Sequence, residues 1–585
     1  MEGVFALEKK LLTGNAAVAR GFWEAGGQVV SSYPGTPSTE ITECASEYPE
    51  LYAEWAPNEK VAVEVAIGAS ISGVRALAAM KHVGVNVAAD PLFTVSYTGV
   101  NGGLVFISAD DPGMFSSQNE QDNRHYARAI KIPAVEPSDS AECLAFTKAA
   151  LAISEQFDTP VMLRLTTRVA HGQTMVELGE RVEAETKPYV KNPQKYVMAP
   201  ANAKPKHKVV EARMRALEEF AETTELNRVE MADTKMGVIC SGAVYNYVKE
   251  ILPTASVLKL GMPYPLPKQK ITDFAAAVDE LYVIEELDPF YETIIKSWGI
   301  ECHGKDIFAL EDEILPETIA ECLRPGECPF ATQTAGIAGR PPVLCPGCPH
   351  RATFRVLSRL KVTVLGDIGC YTLAFAPPLA AMDTTVCMGA SIGMAHGMEK
   401  ALGREQSQKT VAVLGESTFI HSGISSLVNA VYNGSAITVM ILDNSITAMT
   451  GHQPNAGSGK DIHQQPAPEL DFAELAKACG VKHVWKVNPF DQDKLTAVVK
   501  EALEIPEVCV IVAESPCVLL PGAAQNREMT VVAENCIGCK ACLRIGCPAL
   551  AVRDGLVEIN DTQCNGCGLC ADVCPRGALR KGDAK

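Results

Sequence analysis

Apolar residues in the first third of the chain come in short runs, Gln28-Val-Val-Ser-Ser, Asn86-Val-Ala-Ala and Leu104-Val-Phe-Ile-Ser, each followed closely by Gly, Pro or Asp. Short apolar runs bounded by turn formers and separated by helical stretches predict an α/β fold over residues 1–180. From 181 to 235 the texture changes to Lys, Pro and Glu, and the polar periodicity near Val209 to Glu225 predicts a surface helix on a linker. Strands are predicted again at Gly237-Val-Ile-Cys and Leu281-Tyr-Val-Ile, within a compact α/β block over 236–325. A Pro- and Cys-containing stretch, Arg324 to Pro346, marks the next boundary. In the block 340–522, a strand Val411-Ala-Val-Leu, a helix Ile424 to Asn433 and a strand Ile437-Thr-Val-Met-Ile-Leu form one βαβ crossover, which requires a parallel sheet.

A chain of 585 residues with 47% hydrophobic and 21% charged residues has room for three to five globular domains. Its net charge of -18 opposes binding to nucleic acid or to anionic membrane surfaces. Glu2, Glu8, Lys9 and Lys10 interrupt the start where an export signal needs a basic end and an apolar run. Thr372 to Met398 is built of Ala, Gly, Pro and Thr around Asp383, poor material for a membrane span, so a cytoplasmic location is expected.

Of the 21 cysteines, eight fall between Cys536 and Cys574. They form Cys536-x2-Cys539-x2-Cys542-x4-Cys547-Pro548 and Cys564-x2-Cys567-x2-Cys570-x3-Cys574-Pro575, within an α+β segment 526–585. In runs of this kind three cysteines hold one 4Fe-4S cluster and the fourth reaches across to the other. Two clusters are therefore expected, one on Cys536, Cys539, Cys542 and Cys574, the other on Cys564, Cys567, Cys570 and Cys547. Gly538, Gly566 and Gly568 let backbone amides approach the cluster sulfides. Zinc also takes four thiolates, but its ribbons seldom carry three cysteines at successive x2 spacing before a Cys-Pro. The first run has four residues before Cys547 where three is usual, which sets that ligand apart.

Gly415-Glu416-Ser417 and Asp443-Asn444 each close a predicted strand, and parallel sheets bind ligands at such carboxyl ends. The roughly 25 residues between them suit one helix and one strand, placing the two turns side by side. A carboxylate with an amide oxygen suits a hard cation such as magnesium holding phosphates. This spacing resembles the Gly-Asp-Gly to Asn motif of thiamine diphosphate enzymes; the likeness implies Mg2+ ligation by Glu416, Asn444 and the Ile446 carbonyl, with Glu replacing the usual Asp.

Further segments widen the resemblance: Ser32-Tyr-Pro-Gly-Thr-Pro-Ser-Thr, Asn58-Glu59-Lys60 leading to Gly68-Ala-Ser, Met80-Lys-His-Val-Gly, Cys345-Pro-Gly-Cys-Pro-His, Gly366-Asp-Ile-Gly-Cys370 and Thr447-Ala-Met-Thr-Gly-His-Gln. Over essentially its whole length the chain resembles the 2-oxoacid:ferredoxin oxidoreductases, most narrowly the alpha subunits of those acting on indolepyruvate. The resemblance implies a pyrimidine-binding domain, a transketolase-C-like domain, a diphosphate-binding domain and a ferredoxin tail, in that order. It implies thiamine diphosphate, Mg2+ and two 4Fe-4S clusters as cofactors, with Glu59 as the catalytic carboxylate against the aminopyrimidine and Glu64 as the weaker alternative. It also implies oxidative decarboxylation of an aryl 2-oxoacid, acyl transfer to coenzyme A, electrons delivered to ferredoxin, and a smaller beta subunit.

By the same resemblance Thr36 orients the substrate carboxylate and Cys370 faces the cofactor, with Gly415 and Ser417 at its diphosphate. Cys345 and Cys348 form a metal half-site without a matching pair nearby, so a loop closing over the cofactor is the preferred reading. His82, His350, His421 and His452 are candidates for proton handling, and the Asp110-Asp-Pro-Gly turn with Ser116-Ser-Gln-Asn-Glu-Gln resembles a family segment near the cofactor. Preference for pyruvate or a branched 2-oxoacid, and a purely electron-wiring subunit, stay open beside the aryl reading.

Overall fold

The structure, a computed structural model, describes residues 8–327, 338–523 and 527–584. The first residues of the chain and part of the Arg324 to Pro346 boundary lie outside them. The chain divides into two units, residues 1–335 and 336–585.

In the first unit a short antiparallel pair, β1 (Lys9–Thr13) with β8 (Gln173–Glu177), accompanies a sheet of six parallel strands. These are β2 (Val29–Ser32), β3 (Tyr52–Trp55), β4 (Ala76–Lys81), β5 (Leu104–Asp110), β6 (Ala134–Val135) and β7 (Val161–Thr166), in the spatial order β3-β2-β4-β5-β7-β6. Every residue of β4, β5 and β7 is buried, as expected of parallel strands covered on both faces. The run Asn86-Val-Ala-Ala, expected to be a strand, lies instead in the helix His82–Thr98. That helix buries Val85, Ala88, Leu92 and Val95 at helical spacing, and β4 immediately before it takes the place in the sheet.

A second sheet in this unit holds β9 (Asn227–Glu230), β10 (Asp233–Cys240), β11 (Ala255–Leu260) and β12 (Glu280–Ile284) in the order β12-β10-β11-β9, with only β9 antiparallel. Strand β9 falls inside the stretch read as linker, and the preceding helix, Pro200–Thr223, buries Val210, Met214, Leu217 and Ala221 along one side. Buried charges join the two sheets. Arg124 pairs with Asp122 and, at 2.7 Å, with Glu285, while Arg164 pairs with Asp110 at 2.7 Å and Glu136 at 2.8 Å.

The second unit is built on five parallel strands: β13 (Thr363–Leu365), β14 (Thr410–Gly415), β15 (Thr438–Asp443), β16 (His483–Val487) and β17 (Cys509–Glu514), ordered β13-β14-β15-β17-β16. Apolar cores cover both faces, one containing Phe354 and Leu495, the other Phe419 and Phe472. The last segment is a small α+β body of two antiparallel pairs, β18 (Arg527–Val531) with β21 (Leu579–Ala584) and β19 (Leu550–Arg553) with β20 (Leu556–Ile559). Ala352 and Phe490 pack into its core, and Arg351 donates to the Ile545 carbonyl at 2.8 Å, fixing it to the helix Pro349–Leu360. Among the described residues no helix is long and apolar enough to cross a membrane.

Candidate active site

Strand β14 ends at Gly415 and pairs with β15, which ends at Asp443, so the turns carrying Glu416 and Asn444 emerge side by side from the middle of the sheet. Both residues are buried. The terminal amide atom of Asn444 that faces Glu416 lies 3.0 and 3.2 Å from the two carboxylate oxygens and 3.1 Å from the Ile446 carbonyl oxygen. Turned one way, the amide NH2 donates to these oxygens; turned the other way, carboxylate, amide and carbonyl oxygens converge on a single point. Burial, and then the neighbouring Asp443, push the Glu416 carboxyl up to about 8, and no cation pairs with it among the described residues. A buried all-oxygen set lacking a positive partner fits a divalent cation, whose charge reverses that penalty.

Asn455, Asp367 and Tyr371, to which the sequence assigns no role, complete this end of the sheet. Asn455 donates to Glu416 at 3.2 Å and to Thr447 at 3.2 Å, and Thr447 donates to Ser417 Oγ at 3.1 Å. Asp367 is fully buried and accepts from the backbone of Ile368 at 2.9 Å, Gly389 at 2.9 Å and Ser391 at 3.3 Å, binding the loop after β13 to the start of the helix Ala390–Leu402. The Gly366-Asp-Ile-Gly motif was the signal for it. Tyr371 lies against Gly415, where an added Cβ would meet its ring at 3.1 Å. His350, held neutral by burial at about 4, meets Tyr371 edge-on.

Two further cysteines lie near Cys345 and Cys348. Cys345 and Cys517 lie near enough to Cys370 to raise its pKa, after burial, toward about 11, and the backbone of Cys517 donates to the Asn444 carbonyl at 2.9 Å. The thiols of Cys345, Cys348, Cys370 and Cys517 thus form one neighbourhood beside Glu416, assembled from chain positions too distant for spacing to reveal.

In the α+β body one cavity is lined by Cys536, Cys539, Cys542 and Cys574 together. Cys574 accepts the Ala578 N–H at 3.2 Å, and backbone donors from 576 to 579 outweigh burial to hold its pKa low. The other four group likewise: burial and then Cys567, Cys564 and Cys547 push Cys570 up to about 12. Clustered thiols that repel one another's ionisation are the arrangement that iron relieves by charge. The longer spacing before Cys547 is absorbed by the turn Ala541–Ile545 and Gly546, at φ 69°.

In the first unit Glu59 opens the helix Glu59–Ile71, capped by the Asn58 side chain, and is 5% exposed. It packs against Gly84, where a Cβ would meet its carboxylate at 2.6 Å. Glu64 is exposed and paired with Lys60. Thr36 sits half-buried in the turn after β2. The Asp110 and Asp111 turn binds its own segment, with Asp111 accepting from Ser116 N at 2.9 Å and Ser117 Oγ at 2.5 Å. His82 is buried with Nε2 at 3.2 Å from the Asn119 carbonyl; His421 lies 2.6 Å from Ser422 Oγ.

Comparison with known proteins places these groups in families. Residues 20–236 match the family described as pyruvate flavodoxin/ferredoxin oxidoreductase, thiamine diphosphate binding. Residues 367–513 match the C-terminal TPP-binding domain of thiamine pyrophosphate enzymes, and 557–580 a 4Fe-4S binding domain. Indolepyruvate oxidoreductase subunit IorA of Methanothermobacter thermautotrophicus is 40% identical, over 98% of this chain and 97% of that protein. The subunit of the same name from Archaeoglobus fulgidus is also 40% identical at 98% and 97% coverage. A solved 2-oxoglutarate:ferredoxin oxidoreductase from Magnetococcus marinus aligns at 16% identity and TM-score 0.46 over 54% of this chain and 64% of that one. The chain, with its thiamine diphosphate and 4Fe-4S binding domains, belongs to the family of indolepyruvate oxidoreductase IorA subunits.

Proposed function

We propose that this chain is the cofactor-bearing subunit of an enzyme that oxidatively decarboxylates aryl 2-oxoacids, indolepyruvate among them, to acyl-coenzyme A and carbon dioxide. A beta subunit completes the enzyme, and ferredoxin takes the electrons. What carries the reading is the convergence of Glu416, Asn444 and the Ile446 carbonyl in the same unit as two quartets of thiols. A 2-oxoacid oxidation needs a carbanion-stabilising cofactor and a one-electron outlet, and these are the two.

Thiamine diphosphate, when bound, supplies the electron sink for decarboxylation. In this reading Glu416, Asn444 and the Ile446 carbonyl hold Mg2+, with Asn455 orienting Glu416, while Gly415 and Ser417 border the diphosphate. Glu59 holds a proton at the aminopyrimidine ring, where its burial keeps water from competing for it. The quartets Cys536, Cys539, Cys542, Cys574 and Cys547, Cys564, Cys567, Cys570 each hold one 4Fe-4S cluster. Cys345 and Cys348 belong to a loop closing over the cofactor. Domains at 1–180, 236–325, 340–522 and 526–585 divide these tasks, and unpaired thiols in such number suit the reducing cytoplasm.

The test is reduction of viologen or ferredoxin by anaerobic enzyme prepared with its beta subunit, comparing indolepyruvate, phenylpyruvate, 2-oxoisovalerate and pyruvate with and without coenzyme A. The reading expects kcat/KM to be highest for the aryl acids. A clear preference for pyruvate sinks the substrate assignment, and a preparation that retains no thiamine diphosphate sinks the reaction.

A further inference from the structure

In the six-stranded sheet the chain runs from β2 outward to the edge strand β3, then returns across β2 to β4 and continues to β5 on the far side. The direction of winding therefore reverses between β2 and β4, and open parallel sheets bind ligands in the crevice at the carboxyl ends of strands flanking such a reversal. Two loops leave the sheet there, the turn carrying Gly35 and Thr36 after β2, and the junction from β4 into the helix His82–Thr98. They touch one another, since a Cβ on Gly35 would stand 3.1 Å from the Cβ of Lys81.

Lys81 is the last residue of β4 and is 9% exposed. Its ammonium donates to the Ser116 carbonyl at 2.6 Å and lies 3.4 Å from Ser116 Oγ. Among the described residues no carboxylate comes within ion-pair distance of it. The nearest acid it senses, Asp111, is engaged by the Ser116 amide, Ser117 and Thr167. Burial accordingly pulls the ammonium down to about 8, with only the charge of Asp111 opposing. A buried cation without a counter-ion costs several kcal/mol unless an anion arrives from outside the chain.

The helix that follows Lys81 meets the proposed catalytic carboxylate. Gly84, three residues on from Lys81, is the residue against which Glu59 packs, so Glu59 lies against the first turn of that helix. The helix that begins at His82 adds its positive end there.

We propose that Lys81 receives the carboxylate of the 2-oxoacid substrate, across the crevice from Thr36. The other anions of the reaction, the cofactor diphosphate and the phosphates of coenzyme A, are multiply charged. A single ammonium already held by the Ser116 carbonyl has donors left for one small carboxylate, whereas a multiply charged ligand calls for several exposed cations. This assignment rests on the reading of the reaction given above.

The test uses the complete enzyme with its beta subunit and the variants K81M and K81R, assayed with indolepyruvate. K81M is expected to raise KM about 10- to 100-fold, the loss of one charge-assisted hydrogen bond, with a smaller change in kcat. K81R should stay within about tenfold of wild type. Bound thiamine diphosphate, iron content and melting temperature should match wild type in both. Inhibition by the unreactive carboxylate indolelactate should weaken in K81M in step with KM, while its uncharged amide should inhibit wild type and K81M equally. Should K81M fold poorly, K81Q, which keeps a donor without the charge, carries the same measurement. An unchanged KM in a folded, cofactor-replete K81M or K81Q overturns the proposal. Wild-type enzyme inert toward every 2-oxoacid would overturn the underlying reading instead, and so the two failures are told apart.

Discussion

The hydroxyl of Tyr371 accepts the Gly415 N–H at 3.0 Å and donates to the Ile368 carbonyl at 2.9 Å, so one side chain ties the end of β14 to the loop that follows β13. Y371F keeps the ring and strands a buried N–H at the turn that precedes Glu416. Leaving such a donor unpaired costs about 1–3 kcal/mol. The expected outcome is roughly tenfold weaker thiamine diphosphate binding, read by titrating cofactor into stripped enzyme with magnesium present. Equal affinity in Y371F and wild type means that the Gly415 turn holds its shape unaided.

Asn455 acts on the proposed metal set through the carboxylate of Glu416, 3.2 Å away. Removing a partner of that kind commonly weakens metal binding 10- to 100-fold. N455A is expected to need about that much more magnesium for half-maximal activity, with the iron content untouched. A magnesium curve superimposable on wild type would falsify the role of Asn455 in orienting Glu416.

The two quartets interleave along the chain, which makes single cysteine variants diagnostic. C574A should remove the cluster of Cys536, Cys539 and Cys542 while sparing the other, and C547A should do the reverse, each lowering iron by about four per chain. Iron analysis with low-temperature paramagnetic resonance reads both. If C547A leaves the iron count as it was, the longer spacing before that cysteine has excluded it from ligation.

Glu286 is buried among the charges joining the two sheets of the first unit, and burial, only partly offset by Arg164, raises its carboxyl to about 7. A raised carboxyl gives stability that is whole below about 4.5 and is lost as pH climbs through about 7. The span corresponds to something on the order of 3 kcal/mol. E286Q should therefore melt higher than wild type at pH 8 and lose that advantage near pH 5, as followed by calorimetry. A constant difference across that range would mean that Glu286 ionises freely in the folded chain.

Much of the candidate site was legible because its chemistry is written locally. Two runs of four cysteines, three of each at successive x2 spacing, announce two thiolate sets, and two strand ends about 25 residues apart announce neighbouring turns on a parallel sheet. What escaped depends on distance along the chain or on competition between elements. Cys517 meets Cys370 only because β17 lies beside β15, an order that no local pattern encodes. Asn455 reaches Glu416 from a turn whose sequence resembles many others. The four residues Asn86 to Ala89 satisfy strand and helix alike, and β4 immediately before them fills the place in the sheet. Strand β9, rich in charge and at an edge, has too few apolar residues for a strand pattern to stand out from linker.

Arg351 clamps the cysteine-rich α+β body by the Ile545 carbonyl, and Ala352 and Phe490 are buried in that body's core. Such an attachment favours one placement of the body over a swinging domain. Traffic between the sheet and the terminal quartets runs over a fixed span, as through a soldered joint, so its speed should follow gap and driving force and be indifferent to the viscosity of the medium.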